Sequence, residues 1–267
     1  MTGRINRRQM LALSGSGALA AFLAACGKQA GVTESDNIRA LGVADDIPGL
    51  ANEEINDVVL LRTAASLEYT AIDAYEAALN LGVFSGSAAA LRTVASRLRD
   101  DHRGHADAVN GLVVAAGGTA FECANPRFNE IYVSPALAAI TDADNDNVLG
   151  DVLALAHGLE VVAAQTYQSV VGLLSTPALR RAAMTIGQDE SRHAAVLAQA
   201  INPGVAGVGP SVDADGRPRI AAVPAAFGEL TPTALVVGPV RADGSRLQLS
   251  LETPSLNAFI YPSVRCS

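Results

Sequence analysis

The residues best suited to chemistry in this sequence are carboxylates and histidines that recur in two similar sets. Each set places a glutamate on one segment and a pair of side chains, three residues apart, on the next segment. The sets are Glu68 with His102 and His105, and Glu160 with Glu190 and His193. Residues three apart on a helix lie on one face, so each pair can direct two ligands toward one point. Carboxylate oxygens and imidazole nitrogens both bind transition metals. The spacing therefore predicts a metal site shared between two helical hairpins.

The distribution of histidine supports this prediction. The chain has only four histidines, and three of them occupy positions of the two sets. A single Glu-x-x-His pair is weak support, because polar residues on a solvated helix face give the same pattern. The fourth histidine, His157, stands one turn before Glu160, where it either supports a ligand by a hydrogen bond or lies at the surface. Tyr75 and Tyr167 each follow a glutamate by seven residues, and we expect them to pack in the core, with their hydroxyls within reach of a ligand carboxylate.

Apolar residues recur at helical spacing in four segments, which must position these ligands. The segments are 52–81, 87–116, 148–174 and 178–201. Short turns join the first to the second and the third to the fourth, and a long connection, 119–147, joins the two pairs. At about 1.5 Å per residue, the ligands lie roughly 21 to 27 Å from their turns. All six side chains are therefore expected in one layer.

Composition and charge narrow the class of protein. The chain of 267 residues has no tryptophan and 4% aromatic residues, which suits close-packed helices better than a sandwich or barrel. Its formal net charge is -8, and Lys28 is its only lysine. An acidic chain without a basic stripe is a poor candidate for binding nucleic acid, whereas attraction to cations is natural.

The first 26 residues have the pattern of an export signal. Arg7 and Arg8 precede an apolar run, Met10 to Ala25, that is too short to span a bilayer comfortably. The run ends at Cys26 in a sequence that resembles a lipobox, and the paired arginines resemble a twin-arginine signal. We expect cleavage before Cys26, lipidation of its sulfur, and a mature protein held at the outer side of the cell membrane. An uncleaved anchor or a cytoplasmic helix is the alternative.

Residues 27–267 divide into three regions. Residues 27–51 are expected to be a tether, 52–201 the helical domain, and 202–267 a C-terminal extension. In the extension, 234–240 and 246–252 read as two strands joined through Asp243-Gly244, which predicts a β-hairpin packed on the helices. With Cys26 lipidated, Cys123 and Cys266 are left as a pair that an oxidising compartment would join in a disulfide.

From residue 52 to residue 201 the sequence resembles the ferritin-like superfamily, in particular exported bacterial ferritin-like domain proteins. That family places Glu on the first and third helices and Glu-x-x-His on the second and fourth. The resemblance implies a mainly α fold, an up-down four-helix bundle with a long crossover between helices 2 and 3. It also implies a dinuclear metal centre, normally iron, with ferrous-ion, oxygen or peroxide chemistry. The ligands implied by matching position are Glu68, His105, Glu160, Glu190 and His193, and the alignment of the two sets adds His102 as the sixth predicted ligand.

One position departs from the family pattern, because His102 stands where glutamate is expected. Three carboxylates then face two divalent ions, which leaves a charge of +1 for another anion to balance. The additional nitrogen favours iron, zinc or copper over magnesium or calcium, and manganese stays open. Asp101 could replace His102 as a ligand, although the alignment of the two sets favours His102. A non-catalytic bundle, with a structural metal or none, is therefore the alternative function. The oligomeric state is left open.

Overall fold

The computed structural model describes residues 56–203, 232–253 and 266, together with the backbone of 211–212 and 218–219. The predicted signal peptide, the lipidation site Cys26 and the tether at 27–51 lie outside the described residues. The predicted start of the first helix, residues 52–55, lies outside them as well.

Four long helices make up most of the described chain, as the periodicity predicts. We number them α1 (Asp57–Asn80), α2 (Ala89–Ala115), α3 (Val148–Val171) and α4 (Pro177–Ile201). The predicted boundaries agree with these to within a few residues. The prediction of a mainly α fold is confirmed.

Local chemistry explains where these helices begin and end. The side chain of Asn56 accepts a hydrogen bond from the Val59 N–H at 3.1 Å, which caps the start of α1. Thr176 caps α4 in the same way, accepting from the Leu179 N–H at 3.2 Å, and Pro177 occupies the first helical position. Gly82, with φ of +72°, turns the chain after α1, and a 3₁₀ turn at Gly86–Ala88 leads into α2.

The helices pack as two hairpins, α1 against α2 and α3 against α4, with α1 also against α3. Among the described residues, α3 is the one helix that is long and apolar enough to cross a membrane. However, 72% of its most apolar stretch is buried inside the protein, as expected of a central core helix. Its apolar character is therefore explained by burial among the other helices.

The connection between α2 and α3 is partly helical, which the sequence pattern did not predict. It contains a short helix at Pro126–Phe128, a π-helical turn at Asn129–Val133 and a helix at Ser134–Ile140. Phe128, Tyr132 and Ile140 are buried there, so packing against the core stabilises turns too short for a periodic signal. The Asn125 side chain donates to Ser66 Oγ at 3.0 Å and so attaches the connection to α1.

A β-hairpin follows the helices, and this prediction is confirmed. Strands β1 (Ser211–Val212) and β2 (Pro218–Arg219) form a small antiparallel pair, and β3 (Thr233–Val237) and β4 (Leu247–Leu251) form the predicted hairpin. The β3–β4 hairpin buries Leu235, Val237 and Leu251 in the same core as the helices.

A buried aspartate attaches this hairpin to α3. The carboxylate of Asp151, 1% exposed, accepts a hydrogen bond from the Gly238 N–H at 2.7 Å. It also accepts from the guanidinium of Arg246 at 2.7 and 2.5 Å and from the Asn145 amide at 3.0 Å. A buried charge with this many partners holds the hairpin in one position on the helix.

The structure joins Cys123 and Cys266 in a disulfide, with the two Cα atoms 5.7 Å apart. The bond connects the α2–α3 connection to the end of the chain, across 143 residues of sequence. The chain end is therefore covalently attached to the helical part of the protein.

Candidate metal centre

The structure brings all six predicted ligands together at the centre of the four long helices. Glu68 comes from α1, His102 and His105 from α2, Glu160 from α3, and Glu190 and His193 from α4. They form two groups, and within each group the ligand atoms lie within 4.8 Å of one another. The groups are Glu68, His102, His105 and Glu190, and His102, Glu160, Glu190 and His193. His102 and Glu190 belong to both.

The cluster is shielded from solvent. Glu160 and Glu190 are fully buried, and His102 is 1% exposed. The two outer histidines are the most accessible members, with 13% of the His105 side chain and 9% of the His193 side chain exposed. Burying three carboxylates is costly unless positive charges or metal ions face them.

In the first group, His102 and His105 each lie close to both Glu68 and Glu190. His102 Nδ1 lies 2.7 Å from Glu68 Oε2. His105 Nδ1 lies 2.6 Å from Glu190 Oε1 and 3.8 Å from Glu68 Oε2. The inward nitrogen of His105 and one oxygen of each glutamate therefore face the same point.

The second group repeats this arrangement around Glu160. His102 Nε2 lies 3.1 Å from Glu160 Oε1. His193 Nδ1 lies 3.3 Å from both Glu160 Oε2 and Glu190 Oε2. Glu190 thus turns one oxygen toward each outer histidine, as a carboxylate that bridges two ions would.

The unsatisfied atoms of the cluster test whether a metal fits. Both oxygens of Glu190 and Nδ1 of His105 are buried without a hydrogen bond, although that oxygen and nitrogen are only 2.6 Å apart. The two atoms are close but not aligned for sharing a proton. Buried polar atoms without partners are rare in proteins and often mark a bound ion. Together with the mixed nitrogen and oxygen donors, they fit a transition-metal site.

Mutual charge governs the protonation of the metal-free cluster. Burial opposes the charge of His105 and His193, but the glutamate oxygens close to each imidazole outweigh it and raise the pKa of each to about 10. The pKa of His102 is raised well above its usual value, since the attraction of Glu160 and Glu190 outweighs burial. Burial would raise the pKa of Glu68, but bonds to His102 and His105 lower it to about 2.

Glu190 differs from the other two carboxylates. Burial and the negative charge of Glu68 raise its pKa, whereas the pKa of Glu160 is held well below its usual value by His102 and His193, against burial. Charged histidines therefore neutralise the metal-free cluster, and metal ions must displace protons to bind.

Comparison with protein families identifies the architecture. A family model described as a ferritin-like domain matches residues 56–203, more than half of the chain. The chain belongs to the ferritin-like domain family. This confirms the resemblance to the ferritin-like superfamily. No curated protein and no solved structure matches the chain.

Two tyrosines of this ferritin-like protein exchange hydrogen bonds between the hairpins. Tyr167 on α3 donates to Glu68 Oε1 on α1 at 2.5 Å, and Tyr75 on α1 donates to Glu160 Oε1 on α3. Burial and the neighbouring glutamates raise the pKa of both phenols well above 10, so both hydroxyls stay protonated donors. In the sequence, each tyrosine follows the glutamate of its own helix by seven residues, and this repeated spacing indicated that the hydroxyls could reach ligand carboxylates.

A close approach of two helices places Tyr167. A Cβ on Gly187 of α4 would lie 2.8 Å from the Cβ of Tyr167. Glycine at this position therefore lets α4 pack tightly against α3 beside the tyrosine that holds Glu68.

Two aspartates approach the outer histidines, a feature that the sequence pattern did not predict. Asp189 Oδ2 lies 3.8 Å from Nε2 of His105, and Asp101 Oδ2 lies 3.6 Å from Nε2 of His193. These distances are too long for direct hydrogen bonds, so the two carboxylates act on the imidazoles through electrostatic attraction. The signal was present in the sequence, because each aspartate directly precedes its motif, Asp101 before His102 and Asp189 before Glu190.

Two further residues that the sequence singled out, His157 and Asp101, lie outside both groups of ligand atoms. His157 is buried, 5% exposed, so the interpretation as a surface residue was wrong. It belongs to neither group of ligand atoms. Asp101 belongs to neither group, whereas His102 lies in both. Ligation of a metal by the six clustered side chains stays a prediction.

Proposed function

We propose that this protein is a metal-binding member of the ferritin-like family with a dinuclear centre, in which iron is the expected metal. We further propose that its four long helices form the up-down bundle of that family, with the 119–147 connection as the crossover. The single observation that supports the centre is the convergence of six buried carboxylate and histidine side chains from all four helices.

Two sets of side chains would hold the two ions. Glu68 and His105 would hold the first, Glu160 and His193 the second, and Glu190 would offer one oxygen to each. His102 faces both sets, through Nδ1 and Nε2. A neutral imidazole has only one nitrogen free to accept, so His102 can ligate one ion and not both.

A bound pair of iron ions would supply one-electron redox chemistry with ferrous ion, oxygen or peroxide as substrates. The chain's own contribution is positioning and proton control. Tyr75 and Tyr167 each occupy one oxygen of a glutamate and leave the second oxygen directed at the cluster. The three histidines of the cluster hold protons when it is metal-free, because the negative charge of the nearby glutamates raises their pKa values. A metal ion would neutralise that charge, so the histidines would release their protons on metal binding.

Metal analysis of the purified full chain tests the centre. We expect two equivalents of metal per chain, and loss of both when His105→Ala and His193→Ala are combined. Asp100→Asn is the matched control, because Asp100 is exposed on the same helix two residues before His102. Substoichiometric metal that is unchanged in the double variant would refute the proposal.

We also propose that the protein is exported and anchored outside the cytoplasmic membrane through a lipid on Cys26. The support is the sequence alone, namely the paired arginines, the short apolar run and the lipobox-like residues before Cys26. Radiolabelled fatty acid should enter the wild-type chain and not Cys26→Ser, and the wild type should fractionate with membranes. A wild-type chain that stays unlabelled would contradict the anchor.

One observation favours a second function, a non-catalytic bundle with a structural metal or none. His102 contacts Glu68 at 2.7 Å and Glu160 at 3.1 Å, so one imidazolium pairs with two buried carboxylates at once without any metal. Oxygen uptake after addition of Fe²⁺ separates the two functions. Uptake that exceeds that of the His105→Ala/His193→Ala variant supports an oxidase, whereas bound iron without uptake supports the non-catalytic alternative.

A further inference from the structure

A cavity of about 300 Å³ lies between the four long helices, next to the metal cluster. Its walls come from every long helix, for example Ala74 on α1, Ala95 on α2, Val152 on α3 and Leu197 on α4, and from Leu137 in the connection. None of its lining residues carries a charge. The cavity is partly open to solvent, and its volume lies at the lower end of the range of pockets that bind small molecules.

The chemistry of the walls restricts what can occupy the space. Water needs two to four polar partners, and the walls offer few polar atoms beyond those of Tyr75 and Gln199. An engineered apolar cavity of about 150 Å³ stays dry and binds benzene. The space here is about twice as large, which suits a small hydrophobic molecule and is too small for a protein segment such as a helix.

The cavity extends from the protein surface toward the cluster. Val196 and Gln199 line it and are exposed, which marks the outer end. The buried ring of Tyr75 lines it at the inner end, and the hydroxyl of the same tyrosine donates to Glu160. The Tyr75 ring lies 5.6 Å from the ring of His102, centroid to centroid. An occupant in contact with Tyr75 is therefore one side chain away from the candidate ligands.

We propose that this cavity binds a small, neutral, apolar organic molecule, aromatic or alkyl, beside the metal centre. The binding itself is independent of metal. The further expectation that the occupant is a substrate or effector of the centre rests on the proposed metal function.

The binding is tested with fluorobenzene and the full chain, by ¹⁹F NMR titration of the metal-free protein. We expect saturable binding. Ala95→Leu and Ala156→Leu place larger side chains in the cavity and should each weaken binding at least tenfold. Ala195→Leu is the matched control, since Ala195 is on α4 but does not line the cavity, and its binding should stay within twofold of wild type.

Absence of saturable binding to the wild type would overturn the proposal, and so would equal binding by all three variants. If the two cavity variants fail to fold by circular dichroism, nuclear Overhauser effects in the wild type decide instead. Contacts from fluorobenzene to the methyl groups of Ala95 and Val152 support the site. Contacts only to other parts of the chain overturn it.

Paramagnetic Mn²⁺ distinguishes failure of this proposal from failure of the metal function. If both hold, added Mn²⁺ broadens the ¹⁹F signal of bound fluorobenzene in the wild type and not in the His105→Ala/His193→Ala variant. If only the metal function fails, the broadening is absent while saturable binding and the effects of Ala95→Leu and Ala156→Leu persist.

Discussion

His102 stands where the sequence resemblance to the ferritin-like family predicts a glutamate, and replacing it with glutamate gives the sharpest test of the site. The imidazole faces Glu68 with one nitrogen and Glu160 with the other. In His102→Glu, a carboxylate would enter the space that both ligand sets share. We expect this variant to bind the second metal ion more tightly than the wild type does.

The size of the effect follows from charge. A divalent ion and a carboxylate about 4 Å apart interact by about 8 kcal/mol at an effective dielectric of about 20, twice the value for two unit charges. Burying a fourth carboxylate costs several kcal/mol, which cancels part of this gain. We therefore expect a net gain of about 1.4 to 2.8 kcal/mol, which corresponds to a ten- to hundredfold tighter second ion.

The same substitution should destabilise the metal-free protein. His102 carries positive charge between Glu68 and Glu160, and its loss leaves buried carboxylates without compensation. Breaking a buried pair in this way costs about 3 to 5 kcal/mol. The variant should therefore melt well below the wild type without metal and recover most of the difference when metal is added.

Anaerobic calorimetric titration with Fe²⁺ measures both binding steps, and thermal melts with and without metal measure stability. His102→Gln is the matched control, because it removes the imidazole and has nearly the size of glutamate but adds no charge. It should bind the second ion no more tightly than the wild type. If His102→Glu and His102→Gln bind the second ion equally, the charge argument is wrong.

Three further predictions concern stability. In the metal-free protein, the pKa of His105 is raised to about 10, so its stabilisation of the fold is complete below pH 6.5 and is lost as the pH rises toward 10. The pKa of Glu68 is lowered to about 2, so its stabilisation is present above pH 4.5 and is lost as the pH falls toward 2. The melting temperature without metal should therefore be highest between about pH 4.5 and 6.5, and a flat profile from pH 3 to 9 would contradict this prediction. Asp151→Ala removes a buried charge that faces the β3–β4 hairpin, and it should lower the free energy of unfolding by denaturant by about 3 to 5 kcal/mol. The control is Asp243→Ala at an exposed position of the hairpin, which should lower it by under about 0.5 kcal/mol. Equal effects of the two substitutions would refute the anchoring role of Asp151. Cys123→Ser opens the disulfide and should lower stability by about 2 to 4 kcal/mol, and an unchanged denaturation midpoint would show that the bond carries no stability.

Much of the site could be predicted from sequence because it depends on helical periodicity. The interval of three residues within each ligand pair, and the similar distance of each ligand from its turn, determine face and height along a helix. Those two quantities suffice to bring Glu68, Glu160 and the α2 and α4 pairs to one layer once four helices pack together. The hairpin was predictable for a similar reason, since Leu247, Leu249 and Leu251 alternate with polar residues.

The features that were missed depend on contacts between distant residues. The helical turns around Phe128 are too short for a periodic signal, and burial against the core stabilises them. The ion pair of Asp151 with Arg246 joins residues 95 apart in sequence, and nothing local to either residue indicates its partner. The apolar cavity next to Tyr75 is likewise a property of how four helices approach one another.

The crossed contacts of the site explain why its two halves depend on each other. Tyr75 of the first hairpin holds Glu160 of the second, and Tyr167 of the second holds Glu68 of the first. Asp101 faces His193 across the same boundary. Each hairpin therefore positions the ligands of the other, and neither can form its half of the cluster alone. Because the free energy of metal binding adds to the association of the hairpins, metal binding and packing of the four helices should be one cooperative process.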